Sequence, residues 1–233
     1  MATILCIETS TSVCSASLAI DGKLVAMQES TQANVHSEKL AVFINMVMDQ
    51  AGLGFSKLDA AAIGTGPGSY TGLRIGTATA KGLCYAMNKP LIAVPTLKAM
   101  AMAAASLAPY RGLGAEIIYC PMIDARRLEV YTALYDYEGL DLLDVNAMIL
   151  DKNSFSEFLE KKSIVFFGDG MPKMKKLSEP NDTKKIWMDD IYASSANLIS
   201  LAEQAYSAKQ FADVAYYEPY YLKDFVAKKK LVP

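Results

Sequence analysis

Five groups of residues in this chain have the types and spacing that chemistry requires. The densest is Gly64-Thr65-Gly66-Pro67-Gly68-Ser69-Tyr70-Thr71-Gly72-Leu73-Arg74, a glycine-rich loop running into a helix start. Backbone N–H groups in such a loop can hold a phosphate, assisted by the helix dipole. The segment is not a P-loop, because no Gly-Lys-Ser/Thr follows, nor a dinucleotide fingerprint, since Ser69 stands where a third glycine would fall. A tight turn with a capped helix uses the same residues. The second group is Glu8 with Thr9, Ser10, Thr11 and Ser12. An acid there can bind a hydrated metal beside phosphates, or simply end a strand. Glu8, Thr9, Ser10, Gly66, Gly68 and Ser69 are therefore the candidate phosphate-facing set.

The third group, His36-Ser37-Glu38, invites a hydrolase reading. Adjacent helical residues point about 100° apart, so they do not face one another, and helix capping is the favoured reading. No Gly-x-Ser-x-Gly elbow is present. His36 is the single histidine, which excludes a site with two histidine ligands and any zincin motif. No metal site is expected. The fourth group is the tail Tyr216-Tyr217-Glu218-Pro219-Tyr220-Tyr221-Leu222-Lys223, followed by Lys228 to Lys230. Such residues can stack on and neutralise RNA, but an aromatic segment packed on the body is favoured. The fifth is a helix pair. One helix carries Val42 and Met46 opposite its main apolar face. The next carries Gly72, Gly76, Ala80 and Cys84 every four residues, a stripe that admits another helix closely. Val42, Met46, Gly72, Gly76 and Ala80 are the candidate partner-binding residues, with cover by a second lobe as the alternative.

The elements that must position these groups follow from periodicity. Ala2 to Glu8 reads as a buried strand and Val13 to Ile20 as an alternating one. Asp21-Gly22 is a type I′ hairpin signal, returning through Lys23 to Gln28. A helix starts at His36 or Ser37 and runs with Leu40, Phe43, Ile44, Val47, Met48 and Ala51 on one face. Strand 60–63, helix 70–87, strand 91–94 and helix 97–107 complete a β-β-β-α-β-α-β-α order. After a connector at 109–114, strand 116–123, the turn Asp124-Ala125-Arg126-Arg127 and strand 128–135 repeat the opening. Strand 148–150, helix 154–161, strand 163–167 and a last helix from Ser194 or Ser195 to about Gln210 follow, while 171–190 gives no clear pattern. An opening meander, weakly duplicated, predicts an α/β fold of the two-lobed actin/Hsp70 plan, related to sugar kinases and built from duplicated βββαβα subdomains. The Asp21-Gly22 hairpin contradicts a Rossmann sheet. The expected organisation is an N-terminal lobe at 1–110 with the partner face, a smaller lobe at 111–215, and a tail at 216–233 packing on the body.

Composition is globular: 52% hydrophobic, 21% charged, net charge -2, so no overall field marks a nucleic-acid binder. Four cysteines without a C-x-x-C pair suggest buried thiols in a reducing compartment. The start lacks a basic segment and an apolar run, and no stretch is long enough to span a bilayer, so a cytoplasmic protein is expected.

Ile4-Leu5-Cys6-Ile7-Glu8-Thr9-Ser10, His36-Ser37-Glu38-Lys39-Leu40, Gly66-Pro67-Gly68-Ser69-Tyr70-Thr71-Gly72-Leu73-Arg74-Ile75-Gly76 and Pro90-Leu91-Ile92-Ala93-Val94-Pro95-Thr96 together resemble the TsaB (YeaZ) family. The likeness is dense over residues 3–100. Further on only the pattern and Pro219, Tyr221 and Leu222 match. The resemblance implies a non-catalytic scaffold subunit in synthesis of N6-threonylcarbamoyladenosine at position 37 of tRNA. It also implies pairing through the N-lobe helices with the catalytic paralogue TsaD, association with the ATPase TsaE, homodimerisation through the same helices when alone, and only indirect contact with tRNA. The paralogue's His-x-x-x-His falls on Thr96-Leu97-Lys98-Ala99-Met100 here, and Thr and Met cannot replace two neutral imidazoles. No cofactor is expected, and ATP with Mg²⁺ only weakly. The alternative is an independent kinase-like, ATP-hydrolysing enzyme using Glu8 and the Gly66–Gly68 loop.

Overall fold

The computed structural model describes residues 2–32, 35–107 and 116–223. The expected connector at 109–114 and the lysines at 228–230 lie outside the described residues.

Two five-stranded mixed sheets organise the chain. The first has β1 (Thr3–Glu8), β2 (Cys14–Ile20), β3 (Lys23–Ser30), β4 (Ala60–Gly64) and β5 (Leu91–Val94) in the order β3-β2-β1-β4-β5. The second has β6 (Ile117–Asp124), β7 (Glu129–Tyr135), β8 (Asp141–Ile149), β9 (Ser163–Phe167) and β10 (Lys185–Trp187) in the order β10-β9-β6-β7-β8. Read from the other edge, the second order repeats the first, strand for strand. The weak duplication in the sequence is complete in topology. β1 pairs antiparallel with β2 and parallel with β4, and β6 does the same with β7 and β9. Asp21 and Gly22 both take positive φ, 50° and 69°, as a type I′ turn needs.

β1 is apolar from Ile4 to Ile7 because both its faces are covered. Leu5 and Ile7 join the core under α1 (His36–Gln50) and α2 (Tyr70–Met87). Ile4 and Cys6 face the opposite way, toward Ala99 of α3 (Thr96–Ser106) and Leu198, Ile199 and Ala202 of α6 (Ser195–Ser207). In the second lobe Tyr119 and Ile123 pack beneath Leu97, Met100 and Ala104 of α3. Cys120 and Met122 face the side of α4 (Ser156–Leu159) and α5 (Met171–Leu177). Helix α3 therefore serves both cores and joins the lobes.

Several boundaries differ from the sequence reading. β8 spans Asp141–Ile149, not only 148–150, because pairing with β7 extends a stretch whose Asp and Asn side chains face out. Helix α4 is only four residues long, entered through Phe155 at φ 71°. Residues 171–190 hold α5 and β10, too short to leave a periodic signal. The sequence reading puts the last helix in the 111–215 lobe. Its contacts lie instead with α3 and the first sheet, because its apolar stripe matches the open face of β1 and β4.

Candidate functional site

A cleft of about 840 Å³ opens between the sheets. The turn after β1 (Ser10–Ser12) and the start of α2 (Gly68–Gly72) line one wall, and the matching turn after β6 (Asp124–Arg126) with Asp169 lines the other. His36 and Ser37 from the start of α1 and Tyr221 to Lys223 also border it.

Of the expected phosphate-facing set, Ser10, Gly68 and Ser69 reach this cleft. Glu8, Thr9 and Gly66 do not border it. Glu8 is fully buried and turned inward. Its Oε1 accepts the Thr9 and Ser10 N–H groups, each at 2.8 Å, and its Oε2 accepts the Thr96 hydroxyl at 2.9 Å. Thr96 Oγ1 in turn accepts the Gly66 N–H at 3.1 Å, so one carboxylate ties β1, the glycine loop and α3 together. Burial pushes the Glu8 carboxyl above its ordinary pKa, and the hydrogen bonds from the turn and Thr96 pull it partly back.

The glycines explain the close fit. A Cβ on Gly64 would stand 2.0 Å from Glu8 Oε2, on Gly68 2.0 Å from the Ser10 carbonyl oxygen, and on Gly72 2.1 Å from the Thr9 carbonyl oxygen. The loop and α2 thus lie directly on the turn of residues 9–12. The Ser69 N–H, one of the orphan donors of α2, donates to the Ser10 carbonyl at 2.6 Å, and Ser69 Oγ caps the helix by accepting from Gly72 N–H at 3.3 Å. An acid without solvent access cannot hold a hydrated magnesium ion, and the Ser69 N–H is spent on the chain's own Ser10 carbonyl instead of a phosphate.

The opposite wall is more open. Asp124 pairs with Lys173 at 2.8 Å, and its N–H donates to Asp169 Oδ1 at 3.0 Å. Burial raises the Asp169 carboxyl, with the neighbouring Asp124 charge adding to it, while Lys173 and the Asp124 N–H oppose the rise. Asp124 is legible in the sequence as a duplicated strand-ending acid. Asp169 lies within a Gly-Asp-Gly that reads only as a strand end, and only the fold carries it to Asp124.

The helix pair divides in two. Val42 and Met46 are solvent-facing on α1, 51% and 39% exposed, while Leu40, Phe43, Ile44 and Val47 are buried. Gly72, Gly76 and Ala80 do not join that surface. They are buried against the chain's own turn and sheet, with a Cβ at Gly76 falling 2.2 Å from Thr9 Oγ1. The stripe lies on the turn after β1 and on β4. The outer face of α2 instead carries Arg74, Ala78, Gly82 and Tyr85. The expected His36 or Ser37 cap is also displaced: the N-cap residue of α1 is Val35, with no side-chain cap, and His36 is buried with Nε2 lacking a partner among the described residues. Thr96 and Met100 are both buried, the one spent on Glu8 and the other in the second-lobe core. Among the described residues no helix is long and apolar enough to cross a membrane, and no three His, Cys, Asp or Glu groups cluster for a metal.

Comparison with known proteins places this architecture. The sequence matches the family profile of TsaD, tRNA N6-adenosine threonylcarbamoyltransferase, over residues 27–231. It is 30% identical to the tRNA threonylcarbamoyladenosine biosynthesis protein TsaB of Escherichia coli K12, covering 98% of this chain and 97% of that one. It is 28% identical to the TsaB of Haemophilus influenzae at the same coverage of each. YeaZ from Pseudomonas aeruginosa superposes with a TM-score of 0.77 at 28% identity, over 95% of this chain and 100% of that one. At 11% identity, component A of (R)-2-hydroxyglutaryl-CoA dehydratase from Acidaminococcus fermentans shares the fold alone, with a TM-score of 0.52 over 90% of this chain and 100% of that one. The two-lobed actin/Hsp70-like fold and the near-full-length similarity lead to one assignment: the chain belongs to the TsaB (YeaZ) family of tRNA threonylcarbamoyladenosine biosynthesis proteins.

Proposed function

We propose that the chain is a non-catalytic scaffold subunit of the cytoplasmic machinery that makes threonylcarbamoyladenosine in tRNA. It binds a TsaD-like catalytic paralogue through the outer face of its first lobe and keeps the ATPase TsaE in the assembly. The same face forms a homodimer when the partner is absent. The observation that carries this reading is the exposed Val42–Met46 pair on a helix whose other side is already committed to the core. An apolar pair four residues apart is what a partner helix would cover. Two further features support a non-catalytic role: Glu8 is spent on the chain's own turn, and Thr96 and Met100 occupy the positions where the paralogue's two histidines would fall. No resident cofactor belongs to this reading, and any ATP·Mg²⁺ binding is weak.

The test is tRNA modification by the purified catalytic paralogue, its ATPase and threonylcarbamoyl-adenylate, with and without this chain. Activity that requires the chain supports the scaffold. Equal activity without it sinks the reading and brings forward an independent ATP-hydrolysing enzyme, for which millimolar Mg-ATP would raise the melting temperature. The paired substitution Val42→Glu with Met46→Glu should abolish partner binding by at least a hundredfold while leaving the fold intact. Burying two charges in an apolar contact costs several kcal/mol, about 1.4 kcal/mol per factor of ten.

A further inference from the structure

We propose that the segment 211–223 is a clasp that holds the inter-lobe cleft closed, with Lys223 and Glu129 as its catch. On one side, helix packing joins the two lobes. Helix α3 packs into both cores there, and the linker before α6, whose Ile191 and Ala193 pack on the second core, is tied to the first lobe where Ser194 Oγ donates to Glu29 at 2.7 Å and Ser195 N–H donates to Ser15 Oγ at 2.8 Å. That side has the character of a hinge, a helix and a linker shared by two packed bodies.

The segment runs along the other side, where α1 and α2 cover the first sheet, and it is laced to that lobe along its length. Ala212 N–H donates to the Leu91 carbonyl at 2.8 Å, a bridge to the edge strand β5. Lys81 of α2 donates to the carbonyls of Ala215 and Tyr217, each at 3.0 Å. Tyr217 packs on the first-lobe core, and Tyr220 N–H donates to the Thr65 carbonyl at 2.9 Å. The Tyr221 ring then rests on Tyr70 at the start of α2, with centroids 4.8 Å apart. Two residues further, Lys223 crosses to Glu129 of β7 and forms the one ion pair between the lobes among the described residues.

The landing point matters. The Glu129 carbonyl accepts from Lys173 at 2.8 Å, and the same ammonium pairs with Asp124 in the cleft wall. The catch thus pulls on the network that shapes the far wall, while Tyr221 and Leu222 close the near mouth. A partly exposed ion pair, with side chains 43% and 21% accessible, is a weak catch, suited to a reversible opening and not to a permanent lock.

Hydrogen exchange of the full chain at low ionic strength tests this, following the amides of residues 10–12 and 124–126 on the two cleft walls. Lys223→Glu and Glu129→Lys should each speed exchange at both walls by about 1.5-fold to fivefold, the range that a single exposed ion pair commands. The double variant, with the charges swapped, should restore slow exchange. Cleft amides that exchange at the wild-type rate in both single variants would overturn the clasp. So would a charge-swapped double variant that exchanges as fast as the single ones, because that would reduce the effect to local disturbance.

Discussion

The two lobes share one strand order and differ in what they build on it. In the first, the crossovers are helices of 15 and 18 residues, and the strand-ending acid Glu8 is sealed beneath its own turn. In the second, the crossovers shrink to helices of four and seven residues, and the strand-ending acid Asp124 stays in the cleft, paired with Lys173. The first lobe spends its glycines on closing the turn against α2, leaving a long helical surface outside. The second leaves its turn open and offers little helical surface. The same β-meander has become a surface-presenting lobe in one copy and a cleft wall in the other.

The strongest way to break this comparison is to push the sealed turn apart. Gly68→Ala places a methyl group 2.0 Å from the Ser10 carbonyl oxygen and should cost about 3 kcal/mol or more, read as loss of a cooperative melting transition. Gly82→Ala on the same helix meets nothing within 4 Å, so it should raise stability by about 0.5–1 kcal/mol. If both substitutions behaved alike, the sealed turn would not be the reason for the glycines.

Next in size is Thr96→Val, which keeps the shape and removes the hydroxyl that bridges Glu8 and the Gly66 N–H. Leaving two buried groups without that partner should lower unfolding free energy by about 1–3 kcal/mol in urea titration.

The smallest effect concerns pH. Burial raises the folded-state pKa of Glu8 above its ordinary value of 4.5, so the folded chain holds that proton more tightly than the unfolded one. The stability contributed by Glu8 is therefore complete below its unfolded pKa and is lost as pH rises through the folded value. Asp169 has the same sign, starting from 3.8. Melting temperature measured from pH 4 upward should fall less steeply in Glu8→Gln than in the parent chain. Asp169→Asn should flatten the curve similarly, and a slope unchanged in both would remove burial as the dominant cause.

Much of the first lobe is legible in the sequence. The Asp21-Gly22 hairpin, the apolar β1 and the α2 boundaries at Tyr70 and Met87 stand where periodicity and turn chemistry put them, because each is a local signal. The second lobe is less legible. β10 has three residues and α4 four, fewer than one period of a reliable pattern. Val42 and Met46 stand out as surplus apolar residues from one helix alone. The stripe of Gly72, Gly76 and Ala80 is legible as a close approach, but a spacing of four residues does not say which body approaches.

The fold class, the duplication and the family are legible without coordinates, since they rest on periodicity, turn residues and motifs contained in contiguous segments. The direction of each contact came from long-range packing. It turned Glu8 inward onto Thr9, Ser10 and Thr96, laid the glycine stripe on the chain's own turn, returned the last helix to the first sheet, and carried Asp169 to Asp124. Each of these joins residues distant in the chain, or chooses between two faces of an element that local patterning leaves equivalent. Which face is buried depends on what else arrives to cover it.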